Sequence, residues 1–184
     1  MQKTPLMALV LLAACGDDPV NYSDDIGIEI KTKSTDAADN AITEEKGITT
    51  ESSNPYGAFI SEARNRLGHD PSDIKLERLT ITLGAQSTNV TALEQVMTGD
   101  VYVKFLINDT NNTLQVGHFV SPTGPGPDVG DATFDMVDDA TDADVAKIIG
   151  GSFKVVLNAT PAPDFAGKGA DASLQLTFTF SAFE

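Results

Sequence analysis

The sequence predicts a mainly β protein: an antiparallel β-sandwich of the Greek-key or immunoglobulin-like type, with about seven strands and one to three short peripheral helices. Short segments of alternating apolar and polar residues recur along the chain, and such alternation is typical of strands with one buried face. Stretches rich in proline and glycine separate these segments, most clearly at 121–131 and 161–170. The most regular segment, 172–182, alternates apolar residues with serine, threonine and glutamine, which favours an antiparallel sheet with one solvated face.

The first predicted element is a half-buried strand at 26–30, where three isoleucines alternate with glycine and glutamate. The following stretch, 33–54, is rich in threonine, serine and acidic residues and has no apolar period. We therefore expect a loop there, because such a composition buries little apolar surface.

A helix and a long strand follow this predicted loop. Asn54 is a suitable N-cap before a proline at the first helical position, and Gly68 is a suitable stop. Between them, apolar residues recur at helical spacing on one face. The segment 74–83 predicts a strand, and its change of phase near Glu77 and Arg78 indicates a β-bulge.

The clearest hairpin is predicted from 101–107, a polar turn, and a returning strand at 114–120. Gly117 within the second strand indicates a bulge or close packing. The alternation places His118 on the inward face of that strand. Two further short strands are predicted, at 132–136 and at 153–157.

Two spacings of threonine and an acidic residue predict helix starts. Thr91 with Glu94 favours a short helix over 92–97, although a strand there is also compatible with the pattern. Thr141 with Asp144 predicts another helix, which two consecutive glycines would end.

The N-terminus has the pattern of a secretory signal peptide over residues 1–14. Lys3 provides a positive start, nine uncharged and mostly apolar residues follow, and small residues then precede Cys15, the single cysteine. The apolar run is too short to span a bilayer, which requires about 20 residues in a helix. The sequence therefore predicts export, with no ordinary transmembrane anchor in this segment.

Leu12-Ala13-Ala14-Cys15 resembles the lipobox of bacterial lipoproteins, in which signal peptidase II cleaves before a cysteine that becomes lipid-modified. The resemblance implies cleavage between Ala14 and Cys15, a diacylglyceryl group on the sulfur and an acyl group such as palmitate on the new amine. Several chains anchor a protein more firmly than one. Gly16, rather than aspartate, implies the outer membrane, on either its periplasmic or its surface face.

The predicted domain organisation follows from this interpretation. Residues 1–14 are the signal peptide, residues 15–25 the lipidated cysteine with a flexible tether, and residues 26–184 a single β-sandwich domain. Without residues 1–14, eleven Lys and Arg oppose 27 Asp and Glu. Such an acidic chain repels phosphate backbones, which argues against nucleic-acid binding.

No catalytic constellation is recognisable in the sequence. It contains neither a G-x-S-x-G elbow nor a phosphate-binding glycine loop. His69 and His118 are the two histidines, and with a single cysteine they do not supply a zinc site of the usual nitrogen and sulfur type. No catalytic residue is predicted.

Calcium is the one cofactor that the sequence suggests, because loop aspartates supply the oxygen ligands that calcium prefers. The spacing does not match the calcium loop of an EF-hand, and a solvated acidic face is the alternative interpretation. The candidate ligands are Asp128, Asp131, Asp135, Asp138, Asp139, Asp142 and Asp144.

The leading hypothesis is a lipid-anchored envelope protein whose β-sandwich acts as a binding or structural module. Its partners would be the membrane, through the N-terminal lipid, and an unknown envelope protein or glycan. Two alternatives remain open: a calcium-dependent adhesion-type domain, and an envelope hydrolase without a recognisable motif. For the hydrolase, His118 and nearby acidic residues are the candidates.

Overall fold

The computed structural model describes residues 21–37, 40–49, 51 and 54–184. It confirms the predicted fold class, a mainly antiparallel β fold of sandwich type with three short helices. The predicted signal peptide and Cys15 lie outside the described residues. The strands are β1 (Asn21–Lys33), β2 (Ile42–Ile48), β3 (Asp73–Leu83), β4 (Met97–Ile107), β5 (Thr113–Phe119), β6 (Asp128–Ala132), β7 (Phe153–Pro161) and β8 (Asp171–Phe183), and the helices are α1 (Pro55–Leu67), α2 (Met136–Asp139) and α3 (Asp142–Ile149).

The eight strands are hydrogen bonded in the order β1-β8-β3-β6-β5-β4-β7-β2, with every neighbouring pair antiparallel. Strand β6 pairs with β3 on one side and with β5 on the other, so it joins the two halves of the sheet. Residues from both halves form one buried hydrophobic cluster. Within the described part of the chain, β1 pairs with β8 alone and β2 with β7 alone, so these two strands are the edges.

Aromatic side chains fill the centre of this cluster. Phe105 on β4 lies 4.7 Å from Phe153 and packs edge-on against Phe134 at 5.3 Å, measured between ring centroids. Helix α1 adds Tyr56 and Phe59, which are 2% and 1% exposed. Edge-to-face packing of this kind stabilises a core beyond the area that it buries.

Local signals predicted several elements correctly. The Asn54 side chain accepts a hydrogen bond of 3.0 Å from the Tyr56 amide, and Gly68 ends α1 in the left-handed conformation. In β3 the register shifts between Leu76 and Arg78, which confirms the predicted bulge. The bulge allows the apolar residues on both sides of it to reach the same core.

Two predictions in the N-terminal part were wrong. The predicted loop 33–54 contains strand β2, whose apolar residues are only its ends, Ile42 and Ile48. Because β2 is an edge strand with charged residues between those ends, it lacks the apolar alternation that identifies a strand. The predicted tether 15–25 was also wrong over its last five residues, because β1 begins at Asn21 and pairs with β8 from that residue.

Two predicted elements that follow β3 require correction. The predicted strand 132–136 is wrong, because β6 ends at Ala132 and the buried Phe134 and Met136 reach the core from a turn and from α2. The predicted helix 92–97 is reduced to a short 3₁₀ turn, Leu93–Gln95, without a side-chain cap. The expected partner of that cap, Glu94, instead accepts a hydrogen bond of 2.6 Å from the Gly124 amide.

The connections after β1, β3, β5 and β7 lie at one end of the sheet, because these four strands run in the same direction. We call these connections the distal loops; their described residues are 34–37, 40–41, 84–96, 120–127 and 162–170. Hydrogen bonds join them, including Ser34 N to Ala170 O at 2.9 Å and Leu93 N to Gly124 O at 2.8 Å. Asn21 lies at the opposite end. Among the described residues, no helix is long and apolar enough to cross a membrane.

Candidate functional site

A break in register between β4 and β7 shapes the outer surface of the sheet. Thr98 is paired with Thr160 and Tyr102 with Asn158, so residues 99–101 of β4 lie opposite a single residue of β7. Gly99 has a φ of 68°, a left-handed conformation that glycine adopts without strain. Bulges of this kind redirect side chains and are frequent beside functional sites.

Beside the bulge lies a shallow, largely open depression of about 210 Å³ between the two strands. Met97 and Val101 on either side of the bulge both remain fully buried, so Gly99 and Asp100 are the residues displaced outward. We call this feature the bulge cleft; its lining residues are Asp100, Tyr102, Asn158, Ala159 and Thr160.

The Tyr102 ring is partly exposed and lies beside the ring of His118. The two residues are partners in the ladder between β4 and β5, and their rings are 6.0 Å apart with an angle of 17° between their planes. On its other side, His118 Nδ1 lies 3.6 Å from Asp131 Oδ2. Tyr102 therefore belongs to a row of polar and aromatic side chains that crosses β7, β4, β5 and β6.

The prediction that His118 points inward was wrong. Val103 of β4 pairs with Gly117 of β5, but the next residue, Lys104, pairs with Gln115. The register therefore shifts by one residue beside Gly117. Val116 before the shift and Phe119 after it are both buried, at 0% and 1% exposed. The phase change that Gly117 indicated moves His118 to the outer face.

Exposed apolar side chains continue this surface toward the distal loops. Val120 is 69% exposed and lies two residues after His118 on β5. Val129 is 59% exposed and lies two residues before Asp131 on β6, which runs in the opposite direction. Val120 is exposed through the same phase change as His118. We call Tyr102, His118, Val120 and Val129 the outer patch. Three of the four exposed large hydrophobic residues in the described chain lie in it, and the fourth, Val137, lies on α2.

The aspartates proposed as calcium ligands each have a separate environment. Asp128 accepts a hydrogen bond of 3.0 Å from the Thr123 amide, and Asp131 lies beside His118. Asp135 caps α2 and binds Lys75 Nζ at 2.5 Å. This hydrogen bond lowers the pKa of Asp135 and raises that of Lys75.

The other four aspartates lie on the short helices. Asp138, Asp139 and Asp142 are exposed in first helical turns, where carboxylates are favoured by the helix dipole. Asp144 is fully buried and completes the capping box predicted with Thr141. Across the described ranges, no group of three or more histidine, cysteine or acidic side chains is arranged to hold a metal ion. The calcium hypothesis stays a prediction.

The bulge cleft was not predicted, because it depends on how two distant strands pair. Its only local signal is Gly99-Asp100, which interrupts the alternation just before the strand predicted from residue 101. Ala14 and Cys15, the predicted cleavage and lipidation residues, lie outside the described residues.

Comparison with known proteins identifies no family for the chain. No protein-family model matches it, and no curated protein matches it. Among the solved structures that match is a chain from turnip yellow mosaic virus, with 17% identity and a TM-score of 0.30, over 100% of this chain and 90% of the viral chain. A TM-score of that size carries no argument about fold or function.

Proposed function

We propose that this protein is a lipid-anchored component of the cell envelope whose β-sandwich acts as a binding module. The observation that carries the proposal is the outer patch, which adjoins the bulge cleft on one face of the sheet. The patch groups three exposed apolar side chains with His118 on one face of the sheet, and apolar patches on a protein surface mark interaction sites, whereas scattered single residues are ordinary. The lipobox-like sequence ending at Cys15 supports the membrane attachment.

The direction of the strands supports an orientation for the tethered domain. Five residues separate Cys15 from Asn21, so six steps join their Cα atoms, which span at most about 22 Å. The end of the sheet that contains Asn21 would therefore lie close to the membrane. The distal loops lie at the other end. Val120 is the first residue of one of them and Val129 lies just after that loop, so the partner would approach from the side away from the lipid.

The anchor is tested by replacing Cys15 with serine and separating membrane and soluble fractions. We expect the wild-type chain in the membrane fraction and the Cys15→Ser chain in the soluble fraction, because serine cannot carry the thioether-linked lipid. A Cys15→Ser chain that remained with the membranes would contradict lipid anchoring through this residue.

The binding surface is tested by placing a photo-activated cross-linking amino acid at Val120, with Val137 as the matched control. Both valines are exposed, at 69% and 63%, but only Val120 belongs to the outer patch. We expect a discrete cross-linked product in intact cells from position 120 and none from position 137. Equal products from both positions, or none from either, would argue against a binding surface here.

The two alternative functions are separated from this proposal by simple measurements. A calcium-dependent adhesion-type domain should melt at a higher temperature in calcium than in EDTA, because a ligand that binds the native state stabilises it. An envelope hydrolase that uses the His118–Asp131 pair should lose its activity in His118→Ala. Identical melting in the two buffers excludes the first, and unchanged turnover excludes this role of His118.

A further inference from the structure

The bulge cleft combines a flat aromatic face with polar groups at its rim. Tyr102 offers a partly exposed ring with His118 on one side of it, Asp100 a carboxylate, Asn158 an amide and Thr160 a hydroxyl. A pyranose ring presents the complementary chemistry, with C–H groups on one face and hydroxyl groups around its edge. Tyrosine suits such a contact because it combines an apolar body with a polar tip.

Neighbouring contacts position two side chains of the cleft, Asn158 and Tyr102. The Asn158 amide donates a hydrogen bond of 3.1 Å to Thr43 Oγ1 on β2, which orients it. The ring of His118 lies nearly parallel to that of Tyr102. A site whose side chains are already positioned loses less entropy when a ligand binds.

The size and charge of the cleft restrict the ligand. Its volume of about 210 Å³ is below the range of about 300–1,000 Å³ typical of pockets for drug-sized ligands, which suits one ring at a time. Asp100 is the one charged residue among its lining residues. A carboxylate accepts hydrogen bonds from hydroxyl or ammonium groups and repels other anions.

We infer that the bulge cleft binds a saccharide through one neutral or amino-sugar ring, with Tyr102 beneath the ring and Asp100 on its polar edge. This inference rests on the proposed function as a binding module and specifies the chemical class of its ligand. It excludes uronic acids and phosphorylated sugars, because the carboxylate of Asp100 would repel their negative charge.

The test uses the purified full-length protein in detergent and four soluble probes, with binding measured by calorimetry. The probes are maltotriose, a trimer of N-acetylglucosamine, a trimer of glucosamine and, as the anionic control, a trimer of galacturonic acid. We expect at least one of the first three to bind and the galacturonic acid trimer not to bind. Binding of none of the first three, or preferential binding of the acidic trimer, would overturn the inference.

Three variants locate the binding. Tyr102→Ala should weaken it by about tenfold, which corresponds to about 1.4 kcal/mol, because the change removes the ring face against which the sugar packs. Tyr102→Phe keeps the ring and should retain most of the affinity. Val137→Ala, on α2, should bind as the wild type does. Because Tyr102 is 37% exposed, its replacement should leave the melting temperature close to that of the wild type.

The results separate this inference from the proposed function. Unchanged saccharide binding in Tyr102→Ala would overturn the bulge cleft as the site. A cross-linked protein at Val120 without any saccharide binding would leave the binding module standing and overturn its saccharide ligand. Failure of both experiments would contradict both proposals.

Discussion

Thr110 donates a hydrogen bond of 2.7 Å to the buried carboxylate of Asp144, which joins the turn between β4 and β5 to the first turn of α3. Asn112, from the same turn, donates to the other carboxylate oxygen at 2.8 Å, and the Thr141 hydroxyl donates to that oxygen at 2.6 Å. Asp144 is 0% exposed. A residue predicted as a calcium ligand thus connects a hairpin to a helix.

Replacing Asp144 with alanine should therefore destabilise the fold. The change leaves the hydroxyl and amide donors around the carboxylate without their acceptor, and an unsatisfied buried group costs about 1–3 kcal/mol. Asp142→Ala is the matched control, because Asp142 lies in the same helical turn but is exposed. Urea denaturation should show a clear loss of unfolding free energy for Asp144→Ala and a much smaller one for Asp142→Ala. Equal losses would contradict the bonding role of Asp144.

Acid should weaken the same connection. Burial alone would raise the pKa of Asp144, but hydrogen bonds from Thr141, Thr110 and Asn112 lower it from 3.8 to about 2. A carboxyl whose pKa is lower in the folded state stabilises the fold above its unfolded pKa, and this contribution is lost as the pH falls through the folded value. The difference in unfolding free energy between wild type and Asp144→Asn should therefore shrink between pH 4 and pH 2. A constant difference across that range, measured by urea denaturation, would contradict the lowered pKa.

Gly117 should not tolerate a side chain. A Cβ at this position would lie 2.5 Å from the carbonyl oxygen of Asp131 and 2.7 Å from Leu79 Cδ2. Overpacking of a core costs about 1–3 kcal/mol, so Gly117→Ala should lower the melting temperature. The control is Gly47→Ala on β2, where a Cβ would have no neighbour within 4 Å. This substitution should leave the melting temperature unchanged or raise it slightly. Similar melting temperatures for the two variants would contradict close packing at Gly117.

The hydroxyl of Tyr56 should stabilise the attachment of α1. It donates a buried hydrogen bond of 3.1 Å to the carbonyl oxygen of Ile148 at the end of α3, while its ring packs edge-on against Phe153 and Phe180. Tyr56→Phe retains the ring contacts and should lose about 1 kcal/mol of unfolding free energy. Tyr102→Phe removes a hydroxyl from an exposed ring and should change stability little. The comparison fails if both variants unfold at the same denaturant concentration as the wild type.

The elements predicted correctly are those with a local physical cause. The alternation in β8 and the caps at Asn54 and Thr141 depend on neighbouring residues in the sequence, and the structure contains all three. Strand β2 was missed because its strand character comes from pairing with β7 and not from an apolar pattern of its own. Pairing with a distant partner leaves no periodic signal in a short charged segment.

The candidate site could not be predicted, for the same reason. The bulge cleft exists because Tyr102 pairs with Asn158 while Thr98 pairs with Thr160, and no local pattern fixes both registers. The outward position of His118 depends on a second register shift, at Gly117. The functional signal that is readable locally, the lipobox-like sequence before Cys15, lies outside the described residues and stays a prediction.

The pairing of β1 with β8 has a kinetic consequence. Among the described residues, β1 has one partner in the sheet, and that partner is the last strand described, with Asn21 opposite Phe183. Contacts between distant parts of a chain form slowly, because a large loop must close before they stabilise anything. During synthesis β1 must therefore wait, unpaired, until the C-terminal residues have been made. Completion of this edge of the sheet is a late step in folding, and a chain that ends before β8 leaves both β1 and β3 without that partner.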